Sequence, residues 1–323
     1  MGAVTIENAT AFAPASVSNV ACGFDVLGFA LEEPGDYVTA TFGPGGVHIR
    51  DIIGDNGRLP REASKNTAGV AARAVLDHVG ERRGIDLTIR KGLPLSSGLG
   101  GSAASAVAAV VAVDALLGTR LPIETLFDCA IRGEYLESAA LPHGDNVAPC
   151  LYGGFVLVRR VQPADVVRLP VPPDLVAVVA HPELEIQTAA ARALLGNTVS
   201  LADAIRQWAN LGAFVHAMHT GDYDLLSRAL EDAIAEPKRA SLVPGFADIK
   251  RAATDAGALG CSLSGSGPSL FALCRGRAVA NRVGEAMMNA ATLATGRRPH
   301  VYVSSLGQSG ARVLTTAPDS CAS

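Results

Sequence analysis

Residues 94–105 read PLSSGLGGSAAS and run straight into the apolar segment Ala103–Leu117. Three glycines and four serines with no charge among them, placed at the mouth of a helix, offer bare backbone N–H groups and the positive end of a helix dipole, a combination suited to a phosphate. Two familiar phosphate loops fail the fit. No lysine follows the glycines, so the GxxxxGK[ST] loop is excluded. Gly98, Gly100 and Ala103 do match GxGxxA after a strand. A dinucleotide site, however, needs a second strand with an acidic residue after the helix, and here the pattern runs from helix to helix. Glycines serving only close packing would leave the neighbouring serines without a reason.

Outward from that stretch, DLTIR at 86–90 alternates as a strand does, with a helical pattern before it over Thr67–Val79. Gly118 stands where a left-handed C-cap belongs, and a second helix is expected from Ile123 to Ala139. LPHGDNVAP then reads as a loop leading to a strand near Gly154–Arg159. Four prolines between 160 and 174 mark a boundary, which divides the chain into 1–165 and 166–323. Beyond it the reading is a strand at Leu175–Ala180, helices near 188–195, 201–219, 225–234 and 246–256, a glycine-rich strand pair at 257–273, a helix at 279–295 and a final strand, HVYVSSL.

The 323 residues suffice for two domains with large interiors, and 49% hydrophobic against 18% charged residues with 34 glycines fits a globular chain of mixed helices and strands. A formal charge of −4 without basic blocks argues against nucleic acid and anionic membranes as partners. MGAVTIENATAFAP has no apolar leader core, and Ile6 stands where a myristoylation signal wants Ser or Thr. The six cysteines, at 22, 129, 150, 261, 274 and 321, have no metal-ligand spacing and read as reduced thiols in a cytoplasmic protein.

The pattern PxxxGLGxSAA, followed by an alanine-rich helix, resembles the ATP loop of the GHMP kinases. Gly101 stands where that family often has serine, so one hydroxyl is lost while Ser102 remains. Other segments resemble the homoserine kinases among them. ASVSNVACGFDVLG at 15–28 looks like their substrate segment, with Ala21-Cys22 in place of Gly-Pro, and HGDNVAPCLYGG at 143–154 looks like their HxDNVAP signature. TAAAR at 188–192 and EPKRASLVPGF at 236–246 are similar to their arginine-bearing stretches, and SGSGPS at 264–269 to the third GHMP motif.

The resemblance implies an α+β fold, with an N-terminal domain like ribosomal protein S5 domain 2 and a ferredoxin-like C-terminal domain. It also implies ATP and Mg²⁺ as cofactors, L-homoserine as substrate and a homodimer as the usual state. Carried over residue by residue, it puts the nucleotide on Pro94, Leu95, Ser96, Ser97, Gly98, Leu99, Gly100, Gly101, Ser102, Ala103 and Ala104. The metal falls to Ser102 and Glu134, with Glu137 an open alternative. Asn19, Asp25, His143, Asn146, Arg192 and Arg239 line the substrate pocket: Asp25 faces the ammonium, the two arginines fork onto the carboxylate, and Asn146, with Thr188 assisting, orients the hydroxyl. No general base is implied. A kinase for another small alcohol, or a GHMP-like protein that senses a metabolite without catalysis, is the competing reading.

Overall fold

The computed structural model describes residues 7–136, 142–307 and 309–314. The chain opens with three strands, β1 (Asn8–Ser18), β2 (Leu27–Gly43) and β3 (Val47–Ile53), then helix α1 (Thr67–Val79), β4 (Gly84–Arg90), and helices α2 (Gly101–Leu117), α3 (Ile123–Glu134) and α4 (Gly144–Tyr152). Strands β5 (Phe155–Arg160) and β6 (Asp165–Leu169) form a hairpin. The second half runs β7 (Leu175–His181), α5 (Thr188–Ala193), α6 (Leu201–Thr220), α7 (Tyr223–Ala229), α8 (Glu236–Arg239), α9 (Phe246–Asp255), β8 (Gly260–Leu263), β9 (Leu270–Arg275), α10 (Arg277–Thr295), β10 (His300–Ser305) and β11 (Arg312–Leu314).

Seven strands make the first sheet, in the order β11-β1-β2-β4-β3, with β5 on the near end of β2 and β6 beyond it. Only the β3–β4 pair is parallel. Helix α2 lies between this sheet and α1 and α3, which is why it is apolar on nearly every face, with most of its residues from Ala103 to Leu116 buried. It ends as expected at Gly118, in the left-handed region at φ 68°.

The second sheet, β10-β7-β9-β8, is wholly antiparallel, giving the α+β pair of domains implied by the sequence. Strand β7 is buried throughout, and its alternation explains how. Val176, Val178 and Ala180 face a core with α9 and α10, while Leu175, Ala177 and Val179 join the core of the first half. Rings carry the join: Phe29 stands 5.9 Å from Phe271 and 5.1 Å from Phe155, which lies 5.4 Å from Phe214. The two halves thus share an apolar seam.

Three expectations are refined by the described residues. The segment read as the loop LPHGDNVAP holds α4, disguised by Pro149 inside it; Leu141 lies outside the described residues. The proline-rich stretch contains β6, which pairs with β5, so a division at 165 falls at the first residue of β6 and runs between the two strands of the hairpin. The helix from Ile123 is described to Glu134, and Glu137 lies outside the described residues.

Candidate active site

A cavity of about 320 Å³ opens between the two halves. One wall is the loop at 94–102. Ser96, Gly98 and Gly100 take positive φ (52°, 77° and 66°), and Gly100 precedes α2 as its N-cap, with no side chain capping the helix N–H groups. The loop's carbonyls are turned into the protein one after another. Ser96 O accepts from Ile186 N–H (3.3 Å), Ser97 O from the Ser269 hydroxyl (2.6 Å), and Gly98 O from the Ser264 hydroxyl (2.6 Å). Leu99 O accepts from Ser16 N–H (3.1 Å), Gly100 O from Ala104 N–H (2.9 Å), and Gly101 O from Lys91 Nζ (2.8 Å). With each carbonyl from 96 to 101 accepting a hydrogen bond from the protein, the N–H groups at the start of α2 are left facing a concavity of a kind that suits an anion.

Lys91 and Asp36 brace both ends of this loop, and sequence reasoning missed them. Lys91 Nζ is paired with Asp36 and also donates to the Ser105 hydroxyl oxygen (2.9 Å). Asp36 is fully buried and accepts from Gly92 N–H, Leu93 N–H and the Ser105 hydroxyl. The only sequence signal was a lysine beside the glycine-rich stretch; its partner lies on another strand.

Pro94, Leu95, Ser96, Ser97, Gly98, Gly100, Gly101 and Ser102 line the cavity, whereas the side chains of Leu99, Ala103 and Ala104 are buried in the core.

Glu134, His143, Asp145 and Asn146 line the same cavity. Glu134 ends α3 with its carboxylate buried: Oε2 is 3.5 Å from His143 Nδ1, and Oε1 has no hydrogen-bond partner. Burial opposes charging of His143, but the Glu134 carboxylate, with Asp145 and Asp25 behind it, outweighs burial and raises its pKa. Asp145 is pushed up to about 6 by burial and by the negative charge of Asp25, against the pull of His143 and of Asn19 N–H. Asn146 Oδ1 accepts from the Ser16 hydroxyl (2.9 Å), which fixes the amide so that its Nδ2 is the free end. The buried, unpaired oxygen of Glu134, with the Ser102 hydroxyl on the same cavity, is a donor set that fits a divalent cation with oxygen ligands.

The third wall takes charged groups of both signs. Arg192 Nη1 reaches both oxygens of Asp25, at 2.9 and 2.6 Å, so these two expected substrate ligands pair with each other. Arg239 is buried, bonds Ala191 O and Gly265 O, and like Arg192 stands over the Phe24 ring; burial lowers its pKa. Thr188 opens α5 on the same cavity. Asn19 lines it too, but its N–H, Nδ2 and Oδ1 bond Asp145, Gly265 O and Asp25 N–H, so it acts as a brace.

Residues 66–154 match the family described as GHMP kinases N terminal domain, and 214–292 that described as GHMP kinases C terminal. A homoserine kinase of Chlorobium phaeobacteroides is 45% identical over 321 residues, covering 96% of this chain and all of that one. The chain belongs to the homoserine kinases of the GHMP family. Another member, from Chlorobaculum tepidum, is 42% identical over 323 residues, covering 96% of this chain and 99% of its own. The crystal structure of homoserine kinase from Cytophaga hutchinsonii superposes with a TM-score of 0.93 at 46% identity, over 97% of this chain and 99% of that one.

Proposed function

We propose that this chain transfers the γ-phosphoryl group of ATP to the side-chain hydroxyl of L-homoserine, giving O-phospho-L-homoserine and ADP for threonine biosynthesis. The observation that carries the proposal is one cavity lined both by a loop suited to an anion and by an ion pair of opposite charges, Asp25 and Arg192. A zwitterionic amino acid fits the second feature. Its ammonium replaces the guanidinium at Asp25, and its carboxylate takes the forks of Arg192 and Arg239, whose stacking on Phe24 holds their planes.

Phosphoryl transfer asks for positioning and charge neutralisation more than for covalent help. The homoserine oxygen bonds to the γ-phosphorus, the bond to the β–γ bridging oxygen breaks, and the hydroxyl proton leaves to water. Asn146 Nδ2 holds that oxygen in line, and Thr188 closes the pocket beside it. The N–H groups of the loop bind the triphosphate. Glu134 and Ser102 hold Mg²⁺, which when bound neutralises charge on the phosphate oxygens. His143, held by Glu134, keeps the nearby carboxylates compatible with an incoming anion.

The described cysteines, Cys22, Cys129, Cys150, Cys261 and Cys274, are free and buried, which fits the cytoplasm. No described helix is long and apolar enough to cross a membrane. Association as a homodimer belongs to the same proposal, supported by the exposed stripe Leu201, Ile205 and Trp208 on α6, and sedimentation tests it. The reaction itself is tested by coupled ADP release with homoserine, threonine, serine and mevalonate. Turnover selective for homoserine is expected, and a preference for mevalonate refutes the substrate.

A further inference from the structure

Among the contacts that turn the loop carbonyls away from the cavity, one continues to a further side chain behind it. The Ser269 hydroxyl, 2.6 Å from Ser97 O, lies 3.1 Å from Nδ1 of His181, the last residue of β7. A hydroxyl carries one proton and a carbonyl carries none, so that proton lies on the bond to Ser97 and Ser269 must accept from the imidazole. We propose that His181, as its Nδ1–H tautomer, is a positioning residue for the nucleotide: it fixes the Ser269 hydroxyl, and through it the Ser97 carbonyl, so that the loop presents N–H groups and not lone pairs to the phosphates.

This inference rests on the kinase reading above. His181 is buried, and burial together with the neighbouring His300, stacked at 6.5 Å, lowers its pKa to about 4 against the pull of Glu183. The imidazole is therefore neutral at working pH, as a single tautomer requires. Its ring touches neither the cavity nor the substrate groups, so it acts only through Ser269. Ser269 N–H also reaches Ser97 O, at 3.3 Å, so the carbonyl keeps one partner when the hydroxyl is removed. That favours a change in loop geometry over collapse.

Two measurements test it. Long-range ¹H–¹⁵N correlation spectra should show His181 Nδ1 at a protonated-nitrogen shift and Nε2 at an unprotonated one. Calorimetric titration with a magnesium complex of a non-hydrolysable ATP analogue should show Ser269→Ala and His181→Phe binding about tenfold more weakly, with homoserine KM within about twofold of the parent. His181→Asn, whose amide N–H reaches the place of Nδ1–H, should recover most of the loss. An unprotonated Nδ1, unchanged nucleotide affinity in the Phe and Ala variants, or equal losses for Asn and Phe would each overturn the proposal. A parent protein that binds the analogue, shows these differences, and leaves homoserine unphosphorylated would refute the proposed function while upholding this inference.

Discussion

Gly98→Ala tests the contact between the phosphate loop and the second half. Gly98 has φ 77°, a conformation that costs an L residue about 1–2 kcal/mol. A Cβ there would lie 2.5 Å from Ser264 O and 2.7 Å from Gly267 O, both backbone atoms that cannot rotate aside. Relieving that overlap means moving the loop and the 264–267 turn apart by several tenths of an ångström, at roughly 1–3 kcal/mol by analogy with overpacked cores. Gly118→Ala is the control, because Gly118 has φ 68° and nothing within 4 Å of the added carbon. Both variants bear the backbone cost, and only Gly98→Ala bears the clash. The difference of about 1–3 kcal/mol should appear as a lower urea midpoint, as an ATP KM raised roughly 5- to 150-fold, or as both, with homoserine KM little changed. Equal urea midpoints for the two variants, with ATP KM unchanged in Gly98→Ala, would refute the view that the loop is clamped there.

Glu134→Gln should lower kcat by roughly 10–100-fold and raise the Mg²⁺ concentration for half-activity, with homoserine KM nearly constant; a full rate at ordinary Mg²⁺ would remove Glu134 from the metal. Arg192→Lys should raise homoserine KM about 10-fold or more without changing ATP KM, since an ammonium cannot fork onto a carboxylate; the reverse split would assign Arg192 to the nucleotide. Asp145 binds its proton up to about pH 6 in the folded chain against an ordinary value of 3.8, so the folded state holds more protons between those values. Its contribution to stability therefore falls as pH rises through that window. Urea melts at the two ends should show the parent losing stability relative to Asp145→Asn, and parallel behaviour of the two proteins would contradict the assignment.

The phosphate loop and α2 were legible because their signals are local: bare glycines, then an apolar run too even to be a surface helix. The strands before them were not. Strand β1, NATAFAPASVS, is buried at every position after Asn8, so it lacks the exposed face that marks a surface strand, and its alanines and proline carry weak strand propensity. Helix α4 was hidden by Pro149, which sequence reasoning takes as a breaker. At the site, residue types pointed to partners outside the chain, and so Asp25 and Arg192 were assigned separately. Their pairing spans 167 positions and leaves no trace in spacing. The Asp36–Lys91 brace was invisible for the same reason, as it joins β2 to the residue after β4.

Strand β11 pairs with β1, with Phe12 opposite Arg312 and Thr10 opposite Leu314. The outer edge of the first sheet is thus completed by residues from the far end of the sequence. While the polypeptide is being made, β1 must wait with its hydrogen-bonding edge open until nearly all of the second half has emerged, and an open edge invites pairing with other chains. The N-terminal half expressed alone should accordingly be prone to self-association. Joining the neighbouring ends of β1 and β11 and cutting elsewhere should yield a circular permutant whose folding no longer carries that delay.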